Sequence, residues 1–191
     1  MYFDSHAHLD DKCFQPDFDA ILARMRENGV TGMMNIGCDL PSSERSVALA
    51  EQYDWIWAAV GSHPDDADHV DEARIERYRA LCQSLRVRAI GEIGLDYHYE
   101  DVPREVQKRA FRMQMALARE LSLPVVVHER EHRGRIPRGE GRVPLLFRES
   151  GNGEGACPAR LVHRLHGRHH VQKCTQGGRG GAVASAEPDA Y

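Results

Sequence analysis

The sequence predicts an α/β protein: an incomplete (β/α)8 TIM-type barrel of about five of the eight βα units, followed by an irregular, low-complexity C-terminal tail. Three observations carry this expectation. Short apolar runs alternate with helical stretches over the first 128 residues, the pattern of βα units and a parallel sheet. The later runs end in polar, chemically capable clusters, which is where such a barrel gathers its functional groups. The composition then breaks. Residues 1–128 hold 22 Asp/Glu against 14 Lys/Arg, with 6 glycines, whereas residues 129–191 hold 7 against 11, with 11 glycines. Only 10 of those last 63 residues are Leu, Ile, Val or Phe, too few to build a core.

The elements follow in order. YFDSHAH reads as a first strand, and a helix is expected over residues 17–28, stopped by Gly29. VTGMMNIG is a second strand, and SSERSVALAEQY a helix with a Ser cap. WIWAAVGSHP is a third strand, followed by a helix over residues 71–85. VRAIGEIGLD is a fourth strand, and residues 104–121 form a longer helix opened by Pro103. LPVVVH is the fifth strand. A doubly wound sheet is the alternative, but no G-x-G-x-x-G follows the first strand. A full barrel takes about 250 residues, so a chain of 191 is expected to fall short of one.

A formal net charge of −4 announces no general nucleic-acid field. The five cysteines are odd in number, widely spaced and without a CxxC, which argues against a disulfide framework or a thiolate zinc site. No apolar run approaches the ~18 residues of a membrane span, and no leader pattern is visible. A soluble cytoplasmic protein without a membrane partner is expected.

Chemistry gathers at the strand ends. In a strand, residues i and i+2 share a face, so His6 and His8 present two imidazoles together, with Asp4 one step earlier. His63 ends the third strand, Glu92 lies in the fourth and His128 ends the fifth. Histidines and a carboxylate without cysteine suit Zn²⁺, Mn²⁺ or Mg²⁺. A carboxylate among histidines can bridge two such ions, and a two-metal site generates hydroxide at neutral pH while clamping both oxygens of a phosphoester displacement. Taken singly, His128 also reads as a capped strand end and Glu92 as a buried acid paired with an arginine.

DSHAHLD, GSHPDDA, GEIGLDYH and PVVVH, in this order, closely resemble the motifs of the TatD family of metal-dependent deoxyribonucleases, over about residues 1–131. The resemblance implies a (β/α)8 barrel within the amidohydrolase-like group and 3′–5′ exonuclease-like hydrolysis of DNA. It implies two divalent ions (Mg, Mn or Zn), with DNA as substrate and no obligate protein partner. His6 and His8 would ligate one ion, Glu92 would be the bridging catalytic carboxylate, and His128 would ligate the second. His63 would lie near the substrate phosphate, and Asp96 and His98 would orient ligands from the following loop. A strand-end HxH is shared with enzymes acting on small amides, lactones or phosphoesters, so that alternative stays open. A bridging glutamate, rather than a carboxylated lysine, favours the DNase side.

Beyond residue 131 the resemblance stops. The family would continue with signatures like GVFHCFSG and TGIVTFKNA, and would add a histidine after strand 6 and an aspartate after strand 8. Read one base out of frame, GRVPLLFR (141–148) can encode GVFHCFSG, and HGRHHVQKC (166–174) can encode TGVTTFKNA. Residues 132–191 are therefore expected to be an out-of-frame, disordered tail, with Pro144 where the strand 6 histidine belongs. The tail histidines His132, His163, His166, His169 and His170 suggest a replacement metal site, but on the out-of-frame reading His163, His166, His169 and His170 are solvated and adventitious, and the chain is a truncated barrel of doubtful activity. An inactive fragment, or a binding protein with a basic Gly/Arg tail, is the remaining alternative.

Overall fold

The computed structural model describes residues 1–99 and 101–131, together with the backbone of 145–150. Six strands form one sheet in sequential order: β1 (Tyr2–Ala7), β2 (Val30–Ile36), β3 (Ile56–Val60), β4 (Val87–Asp96), β5 (Val125–Arg130) and β6 (Leu145–Ser150). Every neighbouring pair is parallel. Helices α1 (Phe18–Glu27), α2 (Leu40–Gln52), α3 (Glu72–Leu81) and α4 (Arg104–Glu120) connect the first five strands. This is the βα succession of an opened (β/α)8 barrel, as the alternating sequence predicts. The core lies where helices cover the sheet, with Met33, Ile56, Val60, Ile90, Ile93 and Phe111 at 1% exposure or less. No helix among the described residues is long and apolar enough to cross a membrane.

The helices depart from expectation mainly at their ends. α2 is capped by Asp39, whose carboxylate accepts the Ser42 amide at 2.6 Å, and not by a serine. Ser42 is occupied elsewhere, donating its hydroxyl to Asp10 Oδ2 at 2.7 Å. α3 stops at Leu81 rather than near residue 85, because the Gln83 and Ser84 amides turn back to the carbonyls of Ala80 and Leu81. β6 adds a sixth strand inside the segment that the sequence reading treats as the tail. It pairs with β5 in the register Val125↔Leu145, Val126↔Phe147 and Val127↔Arg148. His132, Pro144, His163, His166, His169 and His170 lie outside the described residues.

Polar side chains inside the core fix the strand ends. Gln107 and Gln114 sit seven residues apart on α4, on one face of the helix, and both are buried. Gln107 accepts the Asp96 amide at 2.9 Å and donates to the Asp96 carbonyl at 2.8 Å. Gln114 does the same at the end of β3, accepting the Ser62 amide at 2.7 Å and donating to the Ser62 carbonyl at 3.1 Å. One helix thus holds two neighbouring strand ends by paired amide–backbone bonds. On the other side, Asn35 accepts the Leu9 amide at 2.6 Å and donates to Asp10 Oδ1 at 2.9 Å and Ser46 Oγ at 2.7 Å. That network pins the segment following His8.

Gly94 decides how closely β4 and β5 approach. Its φ is +155°, and a Cβ there would fall 1.9 Å from the His128 carbonyl oxygen. Any side chain would both strain the backbone and push the strands apart. Gly94→Ala is expected to cost about 3 kcal/mol or more, well above an ordinary point substitution. The measurement is a urea melt, in which the midpoint falls at unchanged slope; an unmoved midpoint would contradict this close contact.

Candidate metal centre

The two histidines of β1 and its exit are oriented before any ion is considered. His8 Nδ1 lies 2.8 Å from the Ile36 carbonyl, which can only accept, so that nitrogen carries the proton. The lone pair is left on Nε2, which sits 3.0 Å from His6 Nε2 and 3.9 Å from Glu92 Oε2. His6 Nε2 is 3.4 Å from the same carboxylate oxygen. The His6 amide donates to Asp4 Oδ1 at 3.1 Å, so Asp4 braces the strand locally.

Glu92 is 3% exposed and turns its other oxygen the opposite way. Oε1 is 3.2 Å from His128 Nδ1, while His128 Nε2 is 3.0 Å from Asp96 Oδ2. Asp96 therefore holds the far side of the His128 ring, the arrangement that orients a ligating imidazole. The His63 ring packs edge-on against His128, with centroids 4.2 Å apart. The Asp65 amide donates to His63 Nδ1 at 3.3 Å, and the Asp65 carboxylate lies 3.3 Å from the same nitrogen. Two groups result, His6–His8–Glu92 and His63–Glu92–His128, and in each the ligand atoms lie within 4.8 Å of one another.

Electrostatics follows from this packing. Burial opposes ionisation of Glu92, but hydrogen bonds from His128 and His6, with the charges of His6 and His63, overcome it and hold the carboxyl well below its usual range. Burial would also lower His128, yet Glu92 and then Asp96 raise it above the ordinary imidazole value. His8 is lowered, first by burial and then by neighbouring His6. Cys38 comes within 3.4 Å of His8 Nδ1, but burial pushes its thiol strongly up and keeps it neutral. Three imidazoles and a carboxylate are thus gathered with a fourth imidazole beside them. This nitrogen and oxygen donor set fits divalent ions of the Zn²⁺, Mn²⁺ or Mg²⁺ type.

The structure brings His6, His8, His63, Glu92, His128 and Asp96 together. His98 stands apart: its exposed ring pairs with Glu131 Oε1 at 2.8 Å, and only its backbone amide reaches inward, to Asp96 Oδ1 at 2.9 Å. Asn35, Gln107 and Gln114 are positioning residues that sequence reasoning passes over. Their one signal is a polar side chain recurring on an otherwise apolar face.

Comparison with known proteins agrees with this geometry. The profile of the family described as "TatD related DNase" matches residues 3–139. An uncharacterized metal-dependent hydrolase, YabD of Bacillus subtilis (strain 168), is 39% identical over 131 residues, covering 69% of this chain and 51% of that protein. The 3′-5′ ssDNA/RNA exonuclease TatD of Pectobacterium carotovorum is 33% identical over 178 residues, covering 92% of this chain and 65% of that protein. The crystal structure of YJJV, a TatD homologue from Escherichia coli k12, superposes with a TM-score of 0.63 at 33% identity, over 68% of this chain and 51% of that one. The chain spans between about half and two thirds of the length of these relatives. A family profile that follows the strands from β1 through β5, and ligand groups at the ends of those same strands, lead to one assignment: the chain belongs to the TatD-related DNase family.

Proposed function

We propose that this chain carries the metal-binding half of a phosphodiesterase that removes nucleotides from the 3′ end of single-stranded nucleic acid. One observation carries the reading: a single buried carboxylate, Glu92, directs Oε2 to His6 and His8 and Oε1 to His128. On this reading His6, His8 and Glu92 hold one divalent ion, and Glu92 and His128 hold a second, with His63 within reach of the same place. Such ions supply phosphate charge neutralisation and acidify water. The exonucleases of matching sequence are named for single-stranded DNA and RNA, which favours a nucleic-acid substrate over a small amide or lactone.

The residues of the chain do the rest. The Ile36 carbonyl keeps the His8 proton on Nδ1 and its lone pair directed at the site. Asp96 accepts from His128 Nε2 and keeps the ring from turning. Glu92 spans both groups, so a change at Glu92 reaches both at once.

Three outcomes test this. With the family reading frame restored after residue 131, the protein should shorten single-stranded DNA labelled at its 5′ end from the 3′ end with Mg²⁺ or Mn²⁺, and not after chelation. Glu92→Gln should leave at most one bound Mn²⁺ where the native chain binds two, and hydrolysis should fall at least about 100-fold. Asp96→Asn should weaken Mn²⁺ binding about 10–100-fold, the usual effect of removing a carboxylate behind a ligating histidine. A frame-restored protein that cleaves nothing, or whose hydrolysis is unaffected by chelation, would overturn the reading.

Protons and metal compete for the same groups. His128 is raised, so it stays protonated to a higher pH than a free imidazole, and as the pH is lowered Mn²⁺ affinity should begin to fall while still above about pH 6.5. Calorimetric titrations in two buffers of different ionisation enthalpy should show protons released on binding. An affinity flat between about pH 6 and 8 would contradict this competition. The out-of-frame reading of residues 132–191 is likewise a proposal, and resequencing the gene across that segment should restore a base and the family motifs.

A further inference from the structure

The segment that leaves β4 carries three aromatic rings in succession, and only one of them is used by the core. Tyr97 is partly buried against the core, with the Arg104 guanidinium 4.6 Å from its ring centroid. Tyr99 is different. It is 49% exposed, and it does not belong to the core cluster. The Arg130 guanidinium lies 5.0 Å from its centroid, and the His98 ring meets it edge-on at 4.8 Å. His98 is itself anchored by Glu131 at 2.8 Å.

Register places this group beside the metal centre. Asp96 pairs with Arg130 across β4 and β5, and the Tyr97 amide donates to the Arg130 carbonyl at 3.0 Å. Arg130 is two residues beyond His128 on the same strand, and Tyr99 is three beyond Asp96, the residue that holds His128. An exposed ring, backed by a cation and braced by a second ring, is therefore fixed at the end of the sheet where the ligands gather. Folding gives no reason to hold a half-exposed tyrosine this way. A π-face stiffened by arginine is what a stacked base uses, and every base has such a face.

We propose that Tyr99, backed by Arg130 and braced by His98, is a stacking platform for a base of single-stranded nucleic acid whose phosphate lies at the His63–Glu92–His128 group. The proposal rests on the nucleic-acid reading above and adds the subsite that selects unpaired strands. A base inside a duplex already has both faces stacked, so it gains nothing from the platform until it is released. The charges near it are mixed, with Arg130 against Glu131, so recognition here comes from the ring face and not from a basic field.

The test compares a fluorescein-labelled oligothymidine with a base-free strand carrying the same number of phosphates, each of about 12 nucleotides, within the usual span of single-strand sites. Binding is read by fluorescence anisotropy in EDTA, where metal-dependent hydrolysis cannot proceed. Native protein should bind oligothymidine about tenfold or more tightly than the base-free strand, Tyr99→Ala should erase that preference, and Tyr99→Trp should keep it. Equal binding of the two strands by native protein overturns the platform and leaves the nucleic-acid reading standing. A preference that survives Tyr99→Ala also overturns it. Binding of neither strand overturns the platform, and leaves the nucleic-acid reading to the hydrolysis assay, because EDTA also removes the ions that would neutralise the phosphate. The comparison of the two strands on native protein needs no variant, so a substitution that fails to fold cannot obscure the result.

Discussion

A carboxylate taken out of water at the end of a strand stays ionised only if opposite charge or hydrogen-bond donors surround it. Glu92 is in that position, 3% exposed, and its partners come from three different strands. His6 and His8 reach it from β1 and its exit, His128 from β5 and His63 from beyond β3. These contacts therefore hold together segments far apart in sequence. Removing one histidine would leave the others around a buried charge less well compensated, a cost usually larger than the bond itself.

The strand ends are held from behind by groups that touch no ligand atom. Gln114 fixes Ser62, whose successor is His63, and Gln107 fixes Asp96, which in turn holds His128. Both glutamines come from α4, so the β3 and β4 exits keep their spacing only as well as that helix keeps its place. Asn35 and Asp10 do the same for the chain after His8. Each of these polar groups would be expensive in a core if left unpaired, and each spends its hydrogen bonds on backbone that positions the site. The glycine at 94 completes the arrangement by letting the His128 carbonyl come close to β4.

Much of this is legible in the sequence, for physical reasons. Parallel strands buried on both faces produce unbroken apolar runs such as VVV and IWAAV, and helices between them produce the alternation that gives the fold. The grouping of His6, His8, His63, Glu92 and His128 is legible because residue types able to hold a metal recur at strand ends, which such a fold brings together. Gln107 and Gln114 are not, since their partners are backbone atoms of distant strands and backbone leaves no sequence pattern. The cap of α2 is misread for a related reason: Ser42 has the right chemistry for a cap, but Asp10, brought there by the fold, takes its hydroxyl. His98 is adjacent to Asp96 in sequence terms, yet its ring turns outward to Glu131, because the chain has already left the strand and the i, i+2 rule no longer applies. β6 is hard to see because three apolar residues in a Gly- and Arg-rich stretch fall below what a strand run announces.

The two ligand groups are linked by one side chain, and that sets how they respond to each other. Once Oε2 is engaged by His6 and His8, the position of Oε1 is constrained with it, because both oxygens belong to one rigid, planar carboxylate. A positive charge at one group favours the ionised form of Glu92, and the ionised form is the better partner for a positive charge at the other. Two like charges a few ångströms apart repel, so the shared carboxylate has to offset that repulsion at close range. Its burial makes this possible, since a solvated carboxylate would have its field screened by water. Burial of Glu92 is thus a burden on the fold that positive charge relieves from either group, and His128, raised by Glu92 and Asp96, is one partner that supplies it.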